Sequence, residues 1–468
     1  MQIGLYTIVL LVGPSNCGKS TWSKNFQQKT TQLHSKIKTS IVSSDDIRRE
    51  LLGTNLHKYN PKMLEVSDIA FDMLFSRVDM LSKWPVNHEF IVVDTTGLDS
   101  NFRSKIQEIA KKNNYNTALV LFDYSYNDYF DGMDDTNSKK IIGKHVDTFK
   151  KEVLPSIKKK SYQYTHNIKA KKEFGELDII DLNLWAKSNF WTPVDKELVI
   201  VGDVHESVDA LKQLTSQCND SHQLVFVGDL FDKGQDSANM LTECEHLQQQ
   251  GAIFVVGNHE SFIARRLRGE VEKLSNEYEL FSSLEVFQSD ENLAKRFLAF
   301  YDKMIPFAVF HEYGKTIYVT HAPCKNNQLG KLTQRDLKAQ RNFYFSSRDG
   351  SDMVECLRFI ENEAKYSHPM HVFGHVAHAM KHVEMKNKVW LDTGCVYGNK
   401  LTALKIQTNG KKEFISIKSE KRDESKLLVW KKNEISQEKL LNTQISNNTS
   451  NEQTNSLDNT KKKTFLSN

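Results

Sequence analysis

Short apolar runs alternate with helix-like segments from Met1 to about Leu182. The runs TIVLLV, KTSIV, FIVVD, TALVLFD and LDIIDL are each long enough for one strand, and amphipathic segments lie between them. This alternation predicts a mostly parallel sheet with helices on its faces. The first run, IGLYTIVLLVG, has no basic segment before it and leads into a glycine-rich loop, so we interpret it as a buried strand rather than a signal peptide.

A second strand-rich block begins near Glu197 and ends near Lys418. Within it, residues 260–305 have helical periodicity and are predicted to form a cap over a site. From about Lys431 the chain is rich in Asn, Ser, Thr and Gln, which cannot bury enough apolar surface to order the segment. The predicted fold class is α/β, with a first domain at 1–183, a linker at 184–196, a second domain at 197–418 and a disordered polar tail at 419–468.

Composition narrows the class of protein without identifying a partner. The 468 residues are 39% hydrophobic and 26% charged, which is typical of soluble globular domains. The net charge of +4 permits nucleic acid as a partner but does not argue for it. The six cysteines include no CxxC pair, so a reducing cytoplasm fits best. No apolar run approaches the ~20 residues of a membrane helix, and we expect a cytoplasmic protein with no membrane partner.

The first chemical motif is GPSNCGKS, from Gly13 to Ser20, which matches GxxxxGK[ST] between a predicted strand and a predicted helix. Backbone N–H groups of such a loop surround phosphate oxygens, while the lysine reaches the β and γ phosphates and the serine holds Mg²⁺. The predicted ATP-binding residues are Gly13, Gly18, Lys19, Ser20 and Thr21. The loop alone indicates only a nucleoside triphosphate.

Two later segments could bind the molecule that accepts the transferred phosphate. In SSDDIRRE, Asp45 and Arg48 are one helical turn apart, so a proton-accepting carboxylate and a phosphate-gripping guanidinium would share one side. The alternative is an ordinary helix start with acidic residues in its first turn. In IVVDTTGL, a predicted strand ends at Asp94, Thr95 and Thr96. The alternative interpretation of this segment is a buried strand that only happens to have a polar end.

Metal-binding residue types recur at the ends of predicted strands in the second domain. They are Asp203 and His205 in GDVHE, Asp229 in GDLFDKG, Asn258 in GNHE, His321 in THAP and His375 in GHVAH. Such ligands suit two Mn²⁺-like or Fe²⁺-like ions, with Asp229 bridging them. Asp203 and His205 would complete the ligand set of one ion. Asn258, His321 and His375 would complete the ligand set of the other. His259 would protonate the leaving oxygen, with Asp232 holding its ring.

The first domain resembles the polynucleotide 5′-kinase family. GKSTW followed by Phe26, SDDIR, and VDTTGL followed by Arg103 occur in that family's order. The resemblance implies Lys19 and Asp45 as catalytic residues, Arg48 as the clamp on the acceptor's first internucleotide phosphate, and Asp94, Thr95 and Thr96 as residues that place the 5′ end. The family's Arg-bearing lid is replaced here by DDTNSKKIIGKHVDTFKKEV, so we expect Lys139 or Lys140 to act as a point charge instead.

The second domain resembles the calcineurin-like metallophosphatases, because its five metal-binding motifs occur in the same order. Lys233 stands where that family usually has Arg to hold the phosphate, and Glu206 replaces a common Gly. His378 does not match the G-H-x-H spacing and is left out. The segments RLRGEVEKLSNEYELFSSL and WLDTGCVYGNKLTALKI resemble the phosphatase module of bacterial polynucleotide kinase-phosphatases, which implies that Asp392 binds substrate phosphate.

These resemblances imply an RNA end-healing enzyme that adds a 5′-phosphate and removes a 3′-phosphate or 2′,3′-cyclic phosphate. The implied cofactors are ATP, Mg²⁺ at the kinase site and two divalent metals at the phosphatase site, of which we expect Mn²⁺. The expected partners are RNA ends, with DNA ends as the alternative, and a separate RNA ligase, since the chain closes with a polar tail. Two other functions stay open: a protein Ser/Thr phosphatase fused to a nucleotide-binding regulatory domain, and a small-molecule kinase joined to a dinucleotide hydrolase.

Overall fold

A computed structural model describes the chain apart from residues 58–59, 85, 132–135, 158–161, 172, 174, 190–195, 235, 271–281, 313–314, 332–350, 365–368, 378–380 and 420–468. The chain forms two compact units. The first comprises Met1–Asn183 and Asn326–Lys331, and the second comprises Leu184–Lys325 and Leu332–Asn468. The predicted polar tail from residue 420 onward, and His378, lie outside the described residues.

The first unit contains the predicted parallel sheet. Its five strands are ordered β3-β4-β2-β5-β6, with β2 at Thr7–Val12, β3 at Thr39–Ser43, β4 at Phe90–Asp94, β5 at Asn116–Phe122 and β6 at Tyr164–Ile168. Every residue of β2 and β4 is buried, which explains why both strands are continuous apolar runs rather than alternating ones. The predicted α/β fold class with a parallel sheet is confirmed.

Two details of this sheet differ from the sequence prediction. The N-terminal apolar run is broken at Tyr6, whose φ is 53°, into β1 (Gln2–Gly4) and β2. β1 pairs in parallel only with β7 (Asp178–Ile180), so the run LDIIDL belongs to a separate two-stranded sheet. β6 was not predicted, because its residues YTHNI are mostly polar and only partly buried at this sheet edge.

The helices of the first unit follow the strands in the order expected of βαβ units. They are α1 (Lys19–Leu33), α2 (Ser44–Leu52), α3 (Pro61–Glu65), α4 (Ser67–Ser82), α5 (Ser100–Lys112), α6 (Thr136–Thr148), α7 (Leu154–Ile157) and α8 (Leu182–Asn189), which runs across the boundary of the unit. Asp99 caps α5 by accepting a hydrogen bond from the backbone N–H of Phe102 at 2.6 Å. Within this unit, Lys331 Nζ donates to the carbonyl oxygens of Ser82 and Asn113 at 3.1 and 2.8 Å.

The second unit is built on two five-stranded sheets. One has the order β10-β9-β8-β16-β17 and the other β11-β12-β13-β15-β14. The strands are β8 (Glu197–Val201), β9 (His222–Phe226), β10 (Ile253–Phe254), β11 (Ala308–Glu312), β12 (Lys315–Val319), β13 (Met370–Phe373), β14 (Val383–Met385), β15 (Lys388–Trp390), β16 (Lys400–Ile406) and β17 (Lys412–Lys418). A single apolar cluster contains Ile200 and Val225 from one sheet with Val319 and Val372 from the other, so the sheets pack face to face.

Helices cover the first of these sheets. They are α9 (Val208–Thr215), α10 (Ser237–Gln249), α11 (Asn258–Leu267), α12 (Ser282–Ser289) and α13 (Glu291–Tyr301), while α14 (Ser351–Ala364) follows β12. Phe231 packs edge-to-face on Phe297 of α13 with ring centroids 5.3 Å apart. The helical content predicted for 260–305 is present in the described part of that range, where the helices pack into the apolar core of this unit.

No helix of the described residues has both the length and the apolar character that crossing a membrane requires.

Candidate active sites

The glycine-rich loop joins the buried strand β2 to helix α1. Gly18 has φ 86°, and a Cβ atom at Gly13 would lie 2.9 Å from Cβ of Phe122, so the loop depends on glycine at both positions. Lys19 is buried and donates to the carbonyl oxygens of Gly13 at 3.0 Å and Pro14 at 2.6 Å. The lysine is therefore folded over its own loop, on the side where phosphate binds in such loops.

The end of β4 lies beside this loop. The backbone N–H of Gly13 donates to the Thr96 carbonyl at 3.0 Å, and the Ser20 hydroxyl is near enough to the Asp94 carboxylate to affect its pKa. Burial raises the pKa of Asp94, while Ser20 and the charge of Lys19 oppose that rise. The predicted role of Asp94 was to place the acceptor, but the structure also puts it next to Ser20. A loop Ser and a carboxylate at a neighbouring strand end are the pair that holds Mg²⁺ in P-loop enzymes, so these two residues fit that ion.

Asp45 and Arg48 lie together on the first turns of α2. Ser43 caps this helix by accepting from the backbone N–H of Asp46 at 3.3 Å. Arg48 Nη1 donates to Asp45 Oδ1 at 2.8 Å, and Arg48 Nε donates to the Ser67 hydroxyl at 3.3 Å. The Arg48 side chain is 12% exposed and that of Asp45 is 40% exposed. The guanidinium is thus held in place, whereas the carboxylate is partly exposed to solvent.

Two other residues of the kinase motifs shape the loop after β4. Thr95 Oγ1 accepts from the backbone N–H of Gly97 at 3.0 Å. Arg103 is buried and its Nη1 donates to the carbonyl oxygens of Gly97 and Leu98, both at 2.7 Å. A Cβ atom at Gly97 would lie 2.6 Å from the Leu11 carbonyl, so this loop turns tightly against β2. Arg103 therefore acts on the backbone of this turn.

Helix α6 contributes a contact that the sequence analysis missed. His145 Nδ1 lies 3.0 Å from Ser15 Oγ in the glycine-rich loop, whereas Lys139 and Lys140 lie exposed on the helix. Burial and the nearby charge of Lys19 lower the pKa of His145, which favours the neutral imidazole. Ser15 and His145 are 130 residues apart, so no local sequence pattern indicates this contact.

In the second unit, polar residues emerge from strand ends in a crowded space. A Cβ atom at Gly374 would lie 1.8 Å from Asp203 Oδ1, and one at Gly228 would lie 2.6 Å from the backbone nitrogen of Gly257. Positive φ angles, which cost energy outside glycine, cluster here at His205, Glu206, Asp229, Asp232, Lys233 and His375. Such a concentration of strained backbone in one place is typical of a functional site.

Asp229, His321 and His375 bring their ligand atoms within 4.8 Å of one another. His321 Nδ1 donates to the Val227 carbonyl at 3.0 Å, which leaves Nε2 as an acceptor 3.3 Å from Asp229 Oδ2. The Asn258 carbonyl oxygen lies 2.9 Å from that Nε2 and faces only other acceptors. Acceptors that converge in this way, with the ring N–H held by a backbone carbonyl, fit a divalent cation.

A second group that also includes Asp229 consists of His205, Asp229 and His259. His205 Nδ1 is 3.0 Å from the Phe231 carbonyl, and its Nε2 is 3.8 Å from Asp229 Oδ2. His259 Nε2 is also 3.8 Å from Asp229 Oδ2. Because Asp229 is common to both groups, it occupies the position expected of a carboxylate that bridges two metals.

Asp203 takes part differently from the prediction that paired it with His205. Its two carboxylate oxygens accept from the backbone N–H of His375 at 3.1 and 3.0 Å. The reason is the tight approach of the Gly374 backbone, which directs the N–H of His375 at this carboxylate. Burial, followed by the charge of Asp392, raises the pKa of Asp203 well above its usual range. Its predicted place at the ion of His205 stays a prediction.

The excess of negative charge in this site is visible in His321. Burial opposes its charged form, but Asp229 overcomes burial and raises the pKa of His321 to about 9. A divalent cation bound at Nε2 would take the place of that proton, so the negative charge of Asp229 and the set of donor atoms both suit a metal cation.

The predicted general acid has its predicted partner. His259 Nδ1 lies 2.8 Å from Asp232 Oδ2, and both residues are buried. This hydrogen bond places the ring proton on Nδ1 when the imidazole is neutral and orients Nε2 toward the group around Asp229. A carboxylate that stabilises the charged ring in this way supports proton donation from Nε2.

Two buried glutamates hold the loops that carry these residues, and neither was predicted to do so. Glu260 accepts from the backbone N–H groups of Leu230 at 2.7 Å and Asp229 at 3.1 Å. Glu206 accepts from the Ser237 hydroxyl at 2.7 Å and from the backbone N–H of Asp232 at 3.2 Å. The Glu that replaces the common Gly at position 206 therefore anchors the Asp232 loop.

Lys233 and Asp392, the two predicted phosphate-binding residues, face the same site. Burial raises the pKa of Asp392 to about 6, and the charge of Lys233 opposes that rise. The same lysine charge helps to lower the pKa values of the buried His205 and His375, after the larger effect of burial. Lys233 is exposed, and its positive charge acts on these buried groups.

Comparison with known proteins divides the chain in the same order. Residues 8–134 match the family model of an AAA domain, and residues 197–344 match that of the calcineurin-like phosphoesterases.

Similar curated proteins are phosphatases of bacteria. The asymmetrical bis(5′-nucleosyl)-tetraphosphatase PrpE of Oceanobacillus iheyensis is 26% identical over 241 residues, which cover 47% of this chain and 91% of that protein. The protein of the same name from Anoxybacillus flavithermus is 28% identical over 224 residues, which cover 44% and 89%.

A solved protein serine/threonine phosphatase from Saccharomyces cerevisiae aligns with 52% of this chain and 87% of its own, at 13% identity and a TM-score of 0.33. We draw no conclusion about function from a likeness of that size. Taken with the site geometry, the family matches show that the chain combines a P-loop kinase-like domain with a calcineurin-like metallophosphatase domain.

Proposed function

We propose that this protein heals RNA ends, by phosphorylating a 5′-hydroxyl with ATP and by removing a 3′-phosphate or 2′,3′-cyclic phosphate. The observation that carries the proposal is the pairing of Asp45 with Arg48, 2.8 Å apart, in the same unit as the glycine-rich loop. A nucleotide switch that only regulates a phosphatase needs no base for an acceptor hydroxyl and no guanidinium for an acceptor phosphate.

The kinase step follows from these positions. The loop around Lys19 would bind the β and γ phosphates of ATP, and Ser20 with Asp94 would hold Mg²⁺, which would neutralise charge on those phosphates. Asp45 accepts the proton of the 5′-hydroxyl while the hydroxyl oxygen forms a bond to the γ-phosphorus. The bond from that phosphorus to the β–γ bridging oxygen breaks, and ADP leaves. Arg48 grips a phosphate of the acceptor strand with its planar fork, which orients the hydroxyl in line.

The phosphatase step uses the second unit. Two divalent metals, when bound around Asp229, would neutralise the phosphate charge and increase the acidity of the attacking water. His259 donates its Nε2 proton to the leaving oxygen, and Asp232 holds the ring that does so. Water oxygen bonds to phosphorus, the bond to the ribose oxygen breaks, and a 3′-hydroxyl and inorganic phosphate result.

Joining the two activities in one chain has a chemical reason. Many ribonucleases leave a 5′-hydroxyl on one fragment and a 3′-phosphate or cyclic phosphate on the other. A ligase requires the opposite arrangement, so both ends need repair before a separate RNA ligase can seal them.

The experiment is incubation of the full chain with a cleaved tRNA and ATP, following both ends. We expect Lys19→Ala to abolish 5′ phosphorylation and spare 3′ dephosphorylation, and Asp229→Ala to do the reverse. If either substitution removed both activities from folded protein, two independent sites would be excluded. A DNA copy of the same ends, run in parallel, measures the preference between RNA and DNA.

A second candidate is hydrolysis of dinucleoside polyphosphates, which the similarity to proteins named bis(5′-nucleosyl)-tetraphosphatase favours. Measuring turnover of diadenosine tetraphosphate, a 3′-phosphate oligonucleotide and a phosphopeptide at equal concentration separates the three classes of substrate. Turnover of the dinucleotide alone would support this candidate, and turnover of the phosphopeptide alone would support a signalling phosphatase.

A further inference from the structure

A cavity of about 300 Å³ opens beside the acceptor residues of the first unit. Its walls are Phe71 and Phe75 of α4, Phe102 of α5, and the loop that begins with Thr95 and Thr96. This volume is at the lower end of the ~300–1,000 Å³ that small-molecule pockets occupy. The cavity therefore has room for one flat ring system, and it starts directly after Asp94.

The three rings of this cavity are only partly buried. Phe102 packs against Phe71 and Phe75 with ring centroids 5.5 and 5.3 Å apart. All three phenylalanines retain exposed surface, unlike Phe90 and Phe122 of the adjacent sheet, which are fully buried. Partly exposed aromatic rings that line a cavity offer apolar surface to a ligand.

Positive charges frame the rings at two points. The Arg48 guanidinium lies 5.3 Å from the centroid of the Phe71 ring, and the Lys105 ammonium lies 4.2 Å from the centroid of the Phe75 ring. A cation thus lies over the Phe71 ring and over the Phe75 ring, and apolar rings with cations held next to them suit a ligand that alternates flat bases with anionic linkers.

We propose that this cavity receives a nucleobase of the acceptor strand, from one of its first nucleotides, while Arg48 and Lys105 hold the flanking phosphates. The inference rests on the proposed kinase function and specifies its substrate as a single-stranded end, because a base can enter the cavity only after it leaves its stack. Stacking on phenylalanine tolerates any base, so the site selects for strand character and not for sequence.

The test combines a ring substitution with base removal. Single-stranded 5′-hydroxyl RNA oligonucleotides carry one abasic nucleotide at position 1, 2 or 3. Each is phosphorylated by the unmodified chain and by Phe75→Leu, which keeps apolar volume but removes the ring. In the unmodified chain, one abasic position should raise the KM for the oligonucleotide about tenfold, the worth of one base stack. With Phe75→Leu, the intact oligonucleotide should already have the raised KM. Removing the base from the oligonucleotide should then raise the KM of this variant little further.

Controls separate this inference from the kinase proposal itself. Ile69→Ala alters an exposed apolar residue of α4 outside the cavity and should behave as the unmodified chain. The KM for ATP should be unchanged in every variant. A binding readout without ATP, the fluorescence of 2-aminopurine at the affected position, should fall on binding to the unmodified chain and fall less with Phe75→Leu.

The outcomes are distinct. If the oligonucleotides are not phosphorylated at all, the proposed function fails. If they are phosphorylated but the abasic penalty is equal in both proteins, or if Phe75→Leu raises the KM for ATP instead, the base does not occupy this cavity and the inference is overturned.

Discussion

His145 Nδ1 lies 3.0 Å from Ser15 Oγ, so helix α6 reaches the phosphate-binding loop through an imidazole. The sequence analysis had assigned the lid charge to Lys139 or Lys140, and both of these point into solvent on the same helix. A neutral imidazole can fix the loop hydroxyl by a hydrogen bond, but it cannot replace an Arg that neutralises transferring phosphate. The contact therefore concerns the shape of the donor site.

We expect His145→Ala to raise the KM for ATP by roughly 2- to 10-fold, the worth of one ordinary hydrogen bond of about 0.5–1.5 kcal/mol. Steady-state kinetics with varied ATP and saturating oligonucleotide would measure it. Lys140→Ala is the matched control, since it removes an exposed charge one and a half turns away on α6. A larger effect of Lys140→Ala than of His145→Ala would return the lid role to the lysine.

Local patterns were sufficient for much of the fold and of both sites. The buried strands of the first sheet appear as continuous apolar runs, and the one-turn spacing of Asp45 and Arg48 predicts their contact. In the second unit, Asp229 and His321 follow strands whose ends meet, so their order along the chain was a sufficient guide. These features depend on neighbours close in sequence or on the ends of regular strands.

Other features depend on packing between distant segments, for which the sequence carries no local signal. Ser15 and His145 are 130 residues apart, and nothing in IIGKHVD indicates which loop it meets. In the sequence, Glu206 is only a departure from a common Gly. In the structure, its carboxylate accepts hydrogen bonds from the Ser237 hydroxyl and the backbone N–H of Asp232. Asp94 was assigned to the acceptor alone, because its contact with Ser20 requires two parallel strand ends to adjoin.

The exposed carboxylate of Asp45 leads to a prediction about the chemical step. Asp45→Asn keeps a polar side chain that can still accept a hydrogen bond from Arg48, but it can no longer take up a proton. We expect the rate of phosphoryl transfer to fall by about 10²–10⁴-fold with ATP affinity near normal. Single-turnover kinetics with separate measurement of ATP binding would distinguish the two. Lost ATP affinity with a nearly normal transfer step would make Asp45 a donor-site residue.

Glu89, at the start of β4, predicts a pH-dependent stability. It is buried, it accepts from the backbone N–H of Lys38 at 2.8 Å, and burial raises its pKa to about 7 from an ordinary 4.5. Because the folded state binds this proton more tightly than the unfolded chain, stability is lost as the pH rises from about 4.5 to 7. A shift of this size corresponds to on the order of 3 kcal/mol.

Glu89→Gln removes that ionisation while keeping an acceptor for Lys38. We compare the free energy of unfolding of the variant with that of the unmodified chain at each pH. The difference, variant minus unmodified chain, should increase by about 2–3 kcal/mol from pH 4.5 to pH 8, because only the unmodified chain loses stability as Glu89 ionises. Denaturant unfolding of both full-length proteins at each pH would measure the difference, and Glu108→Gln, an exposed change on α5, is the control. Parallel pH profiles for Glu89→Gln and the unmodified chain would show that Glu89 titrates normally.

Lys233 stands where related phosphatases usually carry Arg, and its charge acts on His205, His375 and Asp392. A lysine offers one compact charge to a phosphate, whereas an arginine offers a planar fork to two oxygens. Lys233→Ala should reduce kcat/KM on a 3′-phosphate oligonucleotide by an amount typical of one charge-assisted hydrogen bond, roughly 1.5–3 kcal/mol. Lys233→Arg should keep or raise it.

Lys212→Ala, which removes an exposed charge on α9, is the control for the change in net charge. The comparison of Lys with Arg at position 233 separates two effects, because a general electrostatic effect predicts equal activity for both cations, whereas a clamp that uses the shape of the group predicts higher activity with Arg. The loop itself supports a clamp, since the φ of 64° at Lys233 sets the backbone in a conformation that needs a reason. Unchanged kinetics in Lys233→Ala would contradict it and transfer the role to Arg265 or Arg266 on α11.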